Sequence, residues 1–220
     1  MEVNGIVLFG DVVRSRRDAP GSTAWLRALA AELETAVPAG ERLADFEFTQ
    51  GDELQGLLAP GADPFGAILR AGLHEERLPM RWVVVAGEVD PGSGPATQRT
   101  GPAFLRARER LVEASTRRVG LVVESGDPPT DALLDDIAPL LADLLGDLTK
   151  RQRVVARLLL VNGLRRSEVA TRLDVSRATV SVAADRAHVR SIGRLADALG
   201  RLLGEGSARP AAASTAGAGG

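Results

Sequence analysis

Along the first 125 residues the apolar positions recur with two different periods, and the switches between them predict the elements. The run "GIVLF" (5–9) predicts a strand, and "STAWLRALAAELETAV" (22–37) places Trp25, Leu26, Leu29, Leu33 and Val37 on one face of a helix. "LADFEFTQ" alternates strictly, with Leu43, Asp45, Glu47 and Thr49 on one side and Ala44, Phe46, Phe48 and Gln50 on the other. A corner at Gly51-Asp52 leads to "ELQGLLA", a helix through "PFGAILRAGLHEERL" and the strand "MRWVVVAGEV". A Pro- and Gly-rich loop (90–102), the helix "AFLRARERLVEAS" and the strand "VGLVVE" complete the series. The order β-α-β-β-α-β, plus one more α-β, predicts an α+β fold of ferredoxin-like plan: an antiparallel sheet covered on one face by helices.

The second half is helical throughout. "GDPPTDALLDDIAPLLADLLGDL" (126–148) predicts one or two apolar-faced helices broken at Pro139, serving as a connector over 126–147. Thr149 with Gln152 three residues on forms a capping box for a helix that ends at Asn162-Gly163. "RRSEVATRLDVSRATVSVAADRAHV" then has helix-turn-helix layout: a short helix to Leu173, the turn "DVS", and a second helix N-capped by Ser176. "RSIGRLADALGRLL" (190–203) carries the stripe Ile192, Leu195, Leu199 and Leu203, which suits packing on the preceding helices or, as the sharper alternative, a homodimer seam. The sequence therefore divides into 1–125, the 126–147 connector, an all-α module over 148–203 and a flexible tail over 204–220.

Charge changes this picture more than composition does. The net charge is −2, but residues 148–203 carry twelve Lys/Arg against four Asp/Glu, a balance of +8 that leaves −10 for residues 1–147. A basic helical module points to a polyanionic partner and separates its task from that of the acidic half. There are no cysteines, which removes disulfides, zinc ribbons and thiol catalysis. No apolar run is long enough to span a bilayer and "MEVNGIVLFGD" does not read as a signal peptide, so no membrane association and a cytoplasmic location are expected.

Candidate chemistry gathers at one end of the expected sheet. The hairpin brings Asp52 and Glu53 towards the end of the first strand, where Asp11 follows a glycine. Converging carboxylates suit a hard cation, Mg²⁺ or Mn²⁺, while Gly-Asp is also ordinary turn chemistry. Arg14, Ser15, Arg16 and Arg17 follow in the next loop, either countering phosphate charge or simply solvated. Gln55 shares the face of Glu53, and His74 reads as a surface residue. In the helix-turn-helix, Ser176, Arg177, Thr179, Ser181 and Arg186 lie toward a major groove, with Arg165 and Arg166 placed for phosphates of double-stranded DNA.

"FGDVV", "TQGDELQGLL", "MRWVVVAGEV" and "TGPAFLRARERL" stand in the order and at the approximate spacing of four segments of class III nucleotide cyclases, whose fold is related to GGDEF and polymerase palm domains. In more detail, residues 1–125 resemble the SatD family, with its Gly-Asp strand end, "GDE-Q" hairpin and "GPA" helix start. The resemblance implies that Asp11 and Asp52 hold metal over a triphosphate, that Glu53 is an additional acid, and that Arg14 to Arg17, Gln55 and Arg108 bind a nucleotide-type small molecule. Arg108 matches the transition-state arginine of the cyclases, but Phe104 stands where they carry asparagine. Loss of such a donor argues against cyclase catalysis. The helical module is similar to the helix-turn-helix of MarR, LuxR and sigma region 4 proteins, with Asp174 where such turns often have glycine. The expected function is a DNA-binding transcriptional regulator with a nucleotide- and metal-binding domain. The alternatives are an active cyclase or polymerase-like enzyme with a regulatory helix-turn-helix, and a DNA-binding adaptor whose first domain binds protein only.

Overall fold

The chain runs β1 (Val3–Val12), α1 (Ala19–Ala36), β2 (Arg42–Phe48), β3 (Glu53–Leu58), α2 (Pro64–Gly72), β4 (Met80–Val89), α3 (Pro102–Arg117), β5 (Leu121–Glu124), α4 (Pro128–Gly146), α5 (Lys150–Leu160), α6 (Arg166–Leu173), α7 (Arg177–Arg186) and α8 (Val189–Ser207). The computed structural model describes residues 3–13, 19–49 and 53–208. Its five strands form one sheet in the order β2-β3-β1-β4-β5, antiparallel at every neighbour except β4 and β5, which are parallel. A parallel pair needs a crossover, and α3 supplies it.

Helices cover both faces of this sheet, not one. The reason lies in the strand sequences: "GIVLF" and "WVVVA" are continuous apolar runs, so each face of β1 and β4 has its own core to fill. Ile6, Leu8, Val84 and Ala86 face α1, α2, α4, α5 and α8, whereas Val7, Phe9, Val83 and Val85 face α3 through Ala103, Phe104, Ala107 and Leu111. The alternation expected of β2 also breaks. Bulges on either side of Ala44 let it join the α3 side while Phe46 fills the opposite core. Gly56 makes room for that ring, since a Cβ there would stand 2.4 Å from Phe46 Cε1.

The apolar core beneath the sheet continues without interruption into the last four helices, from Ile6 and Leu8 through Val155, Val169 and Val180 to Leu203. Helix α4 is a single helix that runs through Pro139. The α8 stripe is consumed inside this core: Ile192, Leu199 and Leu203 are fully buried and Leu195 is partly buried against it. Helix α8 packs on α4, α2, α7 and α5, so the stripe is not a dimer seam. Burying a leucine contributes roughly 2 kcal/mol, and the nearest apolar surface was available within the chain.

Polar contacts fix α5 to the end of α2. Arg153 donates to the carbonyls of His74, Glu75 and Leu148, and Arg157 donates to Arg70 O and pairs with Glu32. Lys150 pairs with Glu75 and Glu76. His74 belongs to this junction and is not a bystander on the surface. Its Nδ1 accepts from Glu76 N at 3.1 Å and Trp25 Nε1 at 3.4 Å, and burial, followed by the charge of Arg157, lowers its pKa.

Candidate functional site

Strand pairing sets Glu53, Asp11 and Arg81 in one row at the end of the sheet, on the side covered by α3. Asp11 lies opposite Glu53 on β3 and opposite Arg81 on β4, with Arg81 Nη1 3.0 Å from its Oδ2. Gln55, two residues along β3, stands on the same side and donates to Glu53 Oε1. Helix α3 starts where it does because Gly101, at φ 128°, brings its backbone against Val89 and Asp90, and Pro102 opens the first turn. That placement brings Arg108 over the row: its Nη1 is 3.2 and 3.1 Å from the two Glu53 oxygens, and its guanidinium lies 5.0 Å above the Phe9 ring. Phe104, one turn earlier, packs against Phe9 with ring centroids 5.9 Å apart.

The structure thus brings together Asp11, Glu53, Gln55 and Arg108. Arg14, Ser15, Arg16, Arg17 and Asp52 lie outside the described residues. Arg81 was not singled out by sequence, although its place two residues before "VVV" on β4 put it on the side of Val83 and Val85. Its presence changes the chemistry. A divalent cation needs several oxygen ligands, but Asp11 is held by Arg81, and Glu53 by Arg108 and Gln55. Among the described residues no cluster of three metal-type side chains forms. Phe104 is buried in an apolar cluster with Phe9, Ala103 and Ala107, and its ring has no hydrogen to donate to a reacting group.

The second candidate surface is built by α6 and α7. Asp174, in the left-handed region at φ 52°, ends α6 and makes the turn, a conformation that aspartate tolerates. Ser176 then caps α7 by accepting from Thr179 N at 3.0 Å. Val169, Ala170, Val180 and Ala184 are buried where the helices pack, which leaves Arg177, Ala178, Thr179, Val182, Asp185 and Arg186 exposed on α7. Arg165 is exposed and pairs with Glu168. Arg166 instead donates to Ser181 Oγ at 3.2 Å and lies 3.6 Å from Asp185, so Ser181 is half-buried and engaged within the motif. Lys150, Arg153 and Arg157 are spent on the α2 junction, while Arg151, Arg172, Arg177, Arg186, Arg190, Arg194 and Arg201 remain exposed with Arg165.

No protein-family model and no curated protein matches this chain. Among solved structures it is similar to a regulator of polyketide synthase expression from Bifidobacterium adolescentis, with 17% identity and a TM-score of 0.27 over 92% of this chain and 82% of that one. A likeness of that degree carries neither fold nor function across. No helix among the described residues is long and apolar enough to cross a membrane.

Proposed function

We propose that the chain is a DNA-binding transcriptional regulator, in which α7 enters the major groove and the α3-covered end of the sheet takes a phosphate-bearing, nucleotide-type ligand. The observation that carries the first part is the capped, outward-facing α7 beside α6, with its exposed arginines and its inner face buried. The reading extends the charge balance of the helical half, because eight of its twelve cations, Arg151, Arg165, Arg172, Arg177, Arg186, Arg190, Arg194 and Arg201, are exposed and take no part in the junction. Titration of random-sequence duplexes with the full chain at several salt concentrations tests it. Affinity that falls steeply with salt supports the reading, and no binding at low salt rejects it.

For the ligand, Arg108 carries the proposal. Its side chain is 55% exposed although it pairs with the nearly buried Glu53, so an incoming phosphate can take over the guanidinium without unfolding α3. A rise in melting temperature with nucleoside triphosphates, lost in Arg108→Ala, supports it; equal shifts in both proteins reject it and leave DNA binding untouched.

A further inference from the structure

The outer face of α7 presents methyl groups at its centre, and the hydroxyls of Thr179 and Ser181 beside them are engaged within the motif. Opposite the buried Val180, Ala184 and Ala187 stand Ala178 and Val182, one turn apart, flanked by Thr179, Ser181 and Asp185. Arg166 holds Ser181 and approaches Asp185. The Thr179 hydroxyl lies 2.9 Å from Ser176 Oγ, which leaves its methyl as the unengaged end. Val182 is 51% exposed, so its methyls are open to whatever lies against this face. A groove of about 640 Å³ runs beside this face, lined by Thr149, Gln152 and two guanidiniums, Arg151 and Arg186, with no carboxylate among its lining residues. The charge therefore selects a polyanion as the occupant, and the apolar centre selects what the polyanion must present.

Resting on the DNA-binding reading, we infer that α7 selects thymine, with Ala178, Thr179 and Val182 covering C5-methyl groups while Arg151 and Arg186 meet the flanking phosphates. The thymine methyl is the apolar group that a base pair displays in the major groove. Ser181 is half-buried and accepts from Arg166, so hydrogen-bond readout by it is suppressed, while the exposed Asp185 carboxylate lies 3.6 Å from the same guanidinium. The preferred duplex then carries A·T pairs where the centre of α7 lies, and specificity there comes from methyl burial.

Selection of duplexes from a random pool by the full chain, followed by replacement of each thymine of the selected site with deoxyuridine, tests this. The expected result is enrichment of thymine at adjacent positions and a loss of about fourfold in affinity for each contacted methyl removed. In Val182→Ala, an exposed change that spares the core, the difference between the thymine and deoxyuridine duplexes should shrink. Equal binding of the two duplexes by the unaltered chain, or a selected site without thymine, overturns the inference while DNA binding stands. Failure of the folded full chain to bind any duplex at low salt removes the DNA-binding reading itself, and the thymine inference with it.

Discussion

Arg81 and Asp11 face one another across β4 and β1, a cross-strand pair with Nη1 3.0 Å from Oδ2. Both side chains are largely buried, at 12% and 26% exposure. The pair occupies the place where the resemblance to nucleotide cyclases implies a metal ligand, and it makes Asp11 a structural partner of a buried guanidinium.

Replacing Asp11 with alanine should therefore destabilise the protein, because Arg81 would be left in the sheet without its carboxylate. The expected loss is about 1–3 kcal/mol in urea unfolding, less than for a fully dry pair since both groups keep some water. Asp11→Asn, which still offers an oxygen to Arg81, should lose less. Equal stability of Asp11→Ala and the unaltered chain would show that the pair contributes nothing to the fold.

Phe104→Asn, which introduces the residue type that the resemblance to cyclases implies there, should cost about 3–4 kcal/mol. The ring is buried and packs on Phe9, so the change opens a cavity and places an amide among Ala103, Ala107 and Leu111. Phe104→Leu, which keeps most of the apolar volume, should cost clearly less. Thermal and denaturant unfolding of the two variants side by side measures the difference.

The strand and helix periods were legible because each element carries its own local signal. The Thr149-Gln152 capping box, the Ser176 cap and the face of α1 bearing Leu26, Leu29 and Leu33 follow from side chains within a few residues of one another. What was not legible depends on distant parts of the chain. That α3 lies on the far side of the sheet from α1 and α2 is decided by which strand neighbours which, and apolar runs such as "WVVVA" fit either cover. The fate of the α8 stripe was equally undetermined, since an apolar face is buried as well by α4 as by a second copy. At the sheet end, the acids announced themselves as a motif, while Arg81 was hidden in a strand that reads as ordinary core.

The junction at His74 should give stability a dependence on pH. Its pKa is lowered, first by burial and then by Arg157, with Glu32, Glu76 and Glu75 opposing, and the neutral ring accepts two N–H donors at Nδ1. The unfolded chain therefore binds the proton before the folded one as pH falls below the ordinary imidazole value of 6.5. Stability should rise with pH through the window that ends near that value and be lost below it. Asp63, raised mainly by desolvation, gives the opposite slope in a more acidic window. In His74→Gln the His74 component should vanish, so the difference between the two urea-unfolding profiles against pH isolates it. Parallel profiles would mean that His74 titrates alike in both states.

Three arginines of the helix-turn-helix should fail in different ways when removed. Arg177 stands exposed in the first turn of α7, where a guanidinium reaches base edges, so Arg177→Ala should weaken a preferred site by about 1–3 kcal/mol and narrow the gap to random DNA. Arg165 is the N-cap of α6 and its side chain is 84% exposed, paired with Glu168 on the same turn. It is positioned for a phosphate, and Arg165→Ala should weaken all duplexes alike and lower the salt slope by about 0.9. Arg166 does not belong with it, because its contacts to Ser181 and Asp185 join α6 to α7. Arg166→Ala should reduce the thermal stability of the chain as well as its DNA affinity. Duplex titrations at several salt concentrations, paired with melting curves, separate the three signatures; identical behaviour of Arg165→Ala and Arg166→Ala in both measurements would remove the structural role assigned to Arg166.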